Sequence, residues 1–141
     1  MQNILMRVLL GLLITGCGGG GGSGDSAPSF GGVYRAALIL TDNSCGPGFD
    51  GVVTVTQTVN QDGETIVMDS GDSVLTGTVN AGRNGFSVSR ETESESCTIE
   101  QAIAYTEDSS GESDFVVALI QRANCTGLVC SLTYLGVANQ T

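Results

Sequence analysis

The 141-residue sequence contains no histidine, no tryptophan and no lysine. Without histidine there is no Ser-His-Asp triad, and without lysine there is neither a Schiff base nor a Ser-Lys dyad. Aromatic residues are sparse, three tyrosines and four phenylalanines. A carboxylate pair for glycoside hydrolysis would lack the stacking walls that carbohydrate clefts use. These absences point away from an enzyme. Positive charge is equally scarce: five arginines stand against 15 acidic residues, a net charge of −10. Such a chain repels nucleic acid and anionic surfaces, and the same imbalance keeps a protein in solution. No stretch carries a sustained apolar stripe of 3.6-residue period, so helices are not expected.

The N-terminus is organised as an export signal. Arg7 precedes an apolar run over residues 8–14, and the small pair Thr15-Gly16 precedes Cys17, the layout of a cleaved secretory segment. The run falls short of the ~20 apolar residues that a transmembrane helix needs. Ile14-Thr15-Gly16-Cys17 resembles the lipobox of bacterial lipoproteins. That resemblance implies cleavage between Gly16 and Cys17, a diacylglycerol thioether on Cys17, and N-acylation of the new amino terminus. Two or more acyl chains make a stable anchor where one alone is marginal. Glycine rather than aspartate at position 18 implies delivery to the outer membrane.

Residues 18–29, GGGGGSGDSAPS, then read as a random-coil tether with a reach of about 20 Å. The expected organisation is a signal over residues 1–16, a lipidated cysteine with its tether over 17–29, and one domain over 30–141. Loss of the signal removes Arg7 and leaves four arginines against 15 acidic residues, a net charge of −11.

The domain is all-β by its patterning. Residues 33–41 and 51–59 are β-branched runs. In the second, Val53, Val55, Gln57 and Val59 face one way and Thr54, Thr56 and Thr58 the other. Asp62-Gly63 and Asn84-Gly85 are hairpin signals, because type I′ turns need positive φ at both central residues. Further strands are predicted over residues 65–69, 74–80, 86–92, 97–106, 114–122 and 129–138. Eight consecutive antiparallel strands close economically into an up-and-down barrel without open edges. A two-sheet sandwich is the alternative. A transmembrane barrel fits poorly, since aromatic girdles are missing. The opening Gly31-Gly32-Val33-Tyr34 and the strand count resemble lipocalin- and avidin-type barrels. Those families usually place a tryptophan near this point; its absence means that the tryptophan-walled biotin site of avidins is not carried over.

Cys45, Cys97, Cys125 and Cys130 remain in the domain. An even count in an exported domain reads as a disulfide framework; a zinc site would want a Cys-x-x-Cys pair or histidine. In a meander, the connections after strands one, three, five and seven share one rim, and all four cysteines fall there. Closure of strand eight on strand one favours Cys45 with Cys130, and the strand six–seven hairpin favours Cys97 with Cys125. A local Cys125–Cys130 bridge with Cys45–Cys97 is the rival pairing.

The same rim collects Asp42, Asp50, Asp69, Asp72, Glu93 and Glu95. Loop-borne carboxylates suit Ca²⁺, which takes six to eight oxygen ligands. Asp69, Asp72, Glu93 and Glu95 are the candidate ligands, and turn-forming or solvated acids are the alternative. Arg35, Arg90 and Arg122 lie within strands and are read as partners of acidic cross-strand neighbours. The small residues Ala36, Gly77, Ala102, Ala104, Ala118 and Gly136 are able to face inward, either making room for one small apolar ligand or relieving crowding in a filled core. The sequence therefore points to a membrane-anchored lipoprotein, not an enzyme, whose distal loops recognise an envelope or extracellular partner. A small-molecule carrier with ligand inside the barrel is the alternative.

Overall fold

The structure, a computed structural model, describes residues 26–141. The signal segment, the lipobox with Cys17 and the tether as far as residue 25 lie outside the described residues. Eight strands follow in order: β1 (Gly32–Asn43), β2 (Val52–Asp62), β3 (Thr65–Asp69), β4 (Val74–Val79), β5 (Gly85–Ser94), β6 (Cys97–Glu107), β7 (Phe115–Cys125) and β8 (Leu128–Gln140). Each is antiparallel to the next, and β8 returns to β1 to close a barrel. This is the up-and-down arrangement, not the sandwich.

The turn residues explain most connections. Gly63 adopts a φ of 59° between β2 and β3, and Gly127 a φ of 83° between β7 and β8, values that glycine reaches without steric cost. The Asn84-Gly85 turn is different from the sequence expectation. Residue 83, an arginine, takes the positive φ of 56°, and Gly85 already belongs to β5. The connection is wider, held by Asn80 N donating to Gly85 O at 2.9 Å and Asn84 N donating to Asn80 Oδ1 at 3.1 Å. Glycine is required at 85 for close approach instead: a Cβ there would lie 1.9 Å from Tyr105 O.

Strand alternation decides what fills the barrel. Tyr34, Ala36, Leu38, Val59, Met68, Leu75, Val88, Ile103, Val117, Leu119, Leu132 and Tyr134 are buried inside, while their sequence neighbours on each strand are more exposed. Phe30, Tyr34, Phe86, Tyr105 and Phe115 cluster towards the rim that holds the chain ends. Phe86 stacks on Tyr105 at 4.9 Å between centroids, and Tyr34 meets Phe115 edge-on at 5.3 Å, geometries that aromatic quadrupoles favour. Buried polar atoms are paired. Tyr34 Oη donates to Phe30 O at 2.6 Å, Tyr105 Oη donates to Gln57 Oε1, and Gln57 Nε2 donates to Ser70 Oγ at 2.8 Å. Gln57, 3% exposed, therefore sits in the core without an unmet hydrogen bond.

Of the small residues, Ala36, Gly77 and Gly136 share the inward parity, but Ala102, Ala104 and Ala118 face outward. The registers Ala104↔Ala118 and Ala102↔Ile120 place them opposite to Ile103 and Leu119, which point in. Gly77 and Gly136 do not make space for a ligand. A Cβ on either would lie 1.9 Å from a carbonyl of the next strand, Ser87 O or Ala37 O, so they permit the tight coiling of a small barrel.

The segment before β1 closes the base. Arg83 Nη2 donates to Ser26 O and Gln61 Nε2 to Pro28 O, both at 2.7 Å. Gln61 Oε1 accepts from Phe30 N at 2.6 Å. These contacts hold residues 26–29 along the rim and set Phe30 under the aromatic cluster. The C-terminus ends beside it, with Thr141 N donating to Val33 O at 2.8 Å.

Gly136→Ala should lower the unfolding free energy in urea by about 3 kcal/mol, the upper end of what overpacking costs, because the clash is with backbone that cannot swing away. The core also sets an alkaline limit. Burial, with a smaller effect of Asp114, pushes the Tyr34 phenol up to about 12, and burial with a smaller effect of Tyr34 pushes Tyr105 higher still. Unfolded tyrosine ionises near pH 10. The contribution of these neutral phenols is complete below about pH 10 and is lost as pH rises through the folded-state values. Stability measured in urea should fall above about pH 10, less steeply in Tyr105→Phe, and phenolate absorbance from Tyr34 and Tyr105 should appear only with unfolding.

Candidate functional site

The rim opposite the chain ends is built from the β1–β2 loop, the β3–β4 turn, the β5–β6 turn and the β7–β8 hairpin. Both disulfides are there: Cys45–Cys130, spanning 85 residues, and Cys97–Cys125, spanning 28. This is the pairing favoured by strand neighbours, and the local Cys125–Cys130 rival is not formed. By chain entropy these links contribute about 4.6 and 3.6 kcal/mol. The first ties the long β1–β2 loop to β8 beside the closing seam, and the second joins the distal ends of β6 and β7.

The β1–β2 loop is held across the rim by several bonds. Ser44 N donates to Ser131 O at 2.9 Å, Ser131 N to Ser44 Oγ at 2.8 Å, and Asn43 Nδ2 to Gly46 O at 2.7 Å. Tyr134 Oη reaches Asp50 O at 3.1 Å. The loop thereby presents Phe49 at the barrel mouth, 46% exposed, near Ile99 and Leu128, which are 45% and 51% exposed. With Leu132 and Ala123 these side chains line an open cavity of about 300 Å³, and Gln121 lends it a polar group. Val129, next on the hairpin, is 78% exposed.

A second cleft of about 480 Å³ lies against the same hairpin, lined by Ser44, Glu91, Glu100, Arg122, Asn124 and Ser131. Arg122, Ala123 and Cys130 line both cavities, so the hairpin is the wall between them. Arg122 pairs with Glu100 at 3.5 Å, the acidic cross-strand partner anticipated for it. The two side chains are 61% and 45% exposed, so the pair contributes at most about 1 kcal/mol.

The rim is acidic as the sequence indicated. Asp42, Asp50, Asp69, Asp72, Glu93 and Glu95 are all exposed on its connections or strand ends. The calcium reading is not supported. Among the described residues no three acidic or cysteine side chains form a group able to hold a metal. Asp69 and Asp72 belong to the β3–β4 turn, Glu93 and Glu95 to the end of β5 and the turn after it, and the β4–β5 ladder stops at Thr76↔Ser89, short of both pairs. Asp69 Oδ1 instead accepts from Gly71 N at 2.7 Å, which shapes the turn. The exposed apolar residues Phe49, Leu128 and Val129 had a weaker signal in the sequence: a phenylalanine inside a Gly-Pro-Gly loop, and two aliphatics immediately after a turn glycine.

Asp69→Asn should keep the turn and the unfolding midpoint, because asparagine makes the same side-chain bond to Gly71 N. Asp69→Ala should cost about 0.5–1.5 kcal/mol. Added Ca²⁺ should leave the thermal midpoint of the parent and of both variants unmoved. No protein-family model matches the chain, and comparison with curated proteins and with solved structures returns no match.

Proposed function

We propose that this chain is an outer-membrane lipoprotein, anchored through Cys17, whose barrel recognises an envelope or extracellular partner with the disulfide-bearing rim and performs no catalysis. The observation that carries the reading is the exposed apolar group Phe49, Ile99 and Leu128 lining the 300 Å³ mouth, with Val129 beside it on the hairpin, on a rim whose connections carry exposed carboxylates. An apolar centre with a charged margin is the layout of a binding surface, in which a few desolvated anchors supply most of the affinity. The fitting partner is a basic protein or polymer that offers one apolar group to the mouth. Acidic residues at the margin would speed its encounter and make association salt-sensitive.

The position of the rim supports the same reading. The tether enters at the opposite end, beside Phe30, so the distal rim would point away from the lipid. The carrier alternative has less support. The interior is packed from Phe30 to Leu119, and open volume lies at the mouth. The absence of histidine and lysine supports the non-enzymatic reading.

A photo-cross-linking residue at Val129 of the full-length protein in its own membrane should capture one discrete partner. Phe49→Ser with Leu128→Ser should reduce capture about tenfold or more, and neutralising Asp69, Asp72, Glu93 and Glu95 should weaken it and flatten its salt dependence. Capture unchanged by both sets would refute the rim as the binding surface. Palmitate labelling that persists in Cys17→Ser would refute the anchor.

A further inference from the structure

The barrel wall is not the same height all round. At the distal end β5 runs beside β6 as far as Ser94↔Cys97, whereas its ladder with β4 stops at Thr76↔Ser89. β2 likewise lies beside β1 from Val52, but its ladder with β3 begins only at Thr58↔Asp69. The short β3–β4 hairpin, whose turn is closed by Ser70 N donating to Ser73 O at 2.9 Å, is thus the floor of a notch. Its sides are the edges of β2 over residues 52–57 and of β5 over residues 90–94. Among the described residues no other strand lies beside either edge. Three inter-strand spacings separate the sides, about 14 Å, which is room for two strands. Val53 and Val55 share the inward parity of Gln57 and Val59, yet they are only half-buried where those two are buried.

Hydrogen-bond alternation identifies the free backbone groups. Leu40 N donates to Gly51 O at 2.9 Å, so the odd-numbered residues of this part of β2 bond to β1, and Val52, Thr54 and Thr56 turn their N–H and C=O to the notch. Glu107 N donates to Asn84 O at 2.8 Å, so the even-numbered residues of β5 bond to β6, and Glu91 and Glu93 turn theirs to the notch.

We infer that an extended segment of the partner, basic at alternate residues, adds to the β5 edge as an antiparallel strand, where a longer β4 would lie. This rests on the reading of the distal rim as a recognition surface and specifies what is recognised there. Backbone chemistry selects a peptide: free N–H and C=O groups at strand spacing are matched by another strand, not by a lipid or an apolar ligand. Charge selects a basic one. Glu91 and Glu93 are exposed on the outward side of the edge, and Asp69 and Asp72 border the floor. Side chains directly opposite on an added strand lie about 5 Å away, where lysine or arginine is favoured and a second carboxylate is not. The same charges oppose pairing with another copy of this acidic chain, as charged edges do in other sheets. Space permits the addition, since one strand fits without displacing β2, and its inward residues enter over Val53 and Val55.

The test measures binding of the full-length protein to a fluorescent decapeptide of alternating lysine and valine, and to the same peptide N-methylated at every lysine. With lysines opposite Glu91 and Glu93, their N–H groups make the antiparallel bonds. Methylation should weaken binding about tenfold or more, as loss of two ordinary hydrogen bonds does. Glu93→Pro should weaken the unmethylated peptide as much while unfolding at the parent's urea midpoint, because the N–H it removes faces the notch and not β6. Glu93→Gln, which keeps that N–H, should cost about fivefold or less, the range of an exposed ion pair. No binding of the unmethylated peptide, equal binding of the methylated one, or full binding by Glu93→Pro would each overturn the inference. Capture at Val129 that needs Phe49 and Leu128 but survives Glu93→Pro would overturn the edge and leave the rim reading standing; peptide pairing without capture at Val129 would do the reverse.

Discussion

Closure of the sheet between β8 and β1 is the constraint on which the rest depends. The pairing runs from Tyr34↔Gln140 to Asn43↔Leu132, with one irregularity between Leu40 and Asp42. Once it forms, each strand has a neighbour on both sides, and every second residue is committed to a narrow interior. That interior must be filled, which explains both the aromatic cluster and the glycines. Five rings occupy one end, and Gly77 and Gly136 stand where neighbouring backbones come too close for any side chain.

Closure also gives the two rims different characters. At one, the chain enters and leaves, Phe30 plugs the opening, and Arg83 and Gln61 hold the entering segment by its carbonyls. At the other, none of the described residues plugs the opening in this way, and the disulfides do the fixing. Cys45–Cys130 holds a loop that would otherwise be free to move, and its hydrogen bonds to β8 leave Phe49 in a defined place over the mouth. An apolar side chain presented on a fixed loop loses less entropy on binding than one on a mobile loop, so the disulfide rim has the mechanical character expected of a recognition surface.

Acidic side chains stand at both rims of the barrel. Asp42, Asp50, Asp69, Asp72, Glu93 and Glu95 lie at the distal rim and Asp62, Glu64, Glu107, Asp108, Glu112 and Asp114 at or near the base connections, so the distal rim is set apart by its exposed apolar group and open cavity more than by its charge.

Much of the fold was legible in the sequence because period-two patterning is local. The shared face of Val53, Val55, Gln57 and Val59 could be read directly, and once the strands were counted, meander parity placed all four cysteines on one rim and favoured the pairing that formed over its rival. Other features depended on register or distance that no local pattern encodes. Ala102, Ala104 and Ala118 are small enough for either face, and only their pairing with Ala118, Ile120 and Ser87 turned them outward. Asn84-Gly85 has the composition of a tight turn, but Gly85 was claimed by the close approach of Tyr105 O. The acidic quartet shared a rim by topology, yet the β4–β5 ladder ended at Thr76↔Ser89, before it could bring the two halves into register. By itself the sequence determined the strands, their alternation and the rim that holds the cysteines, because these follow from local patterning and chain order, and the structure decided between the two disulfide pairings. The tertiary structure alone decided which acids lie apart and that Phe49, Ile99 and Leu128 meet at one mouth, because both depend on the lateral spacing of segments distant in sequence.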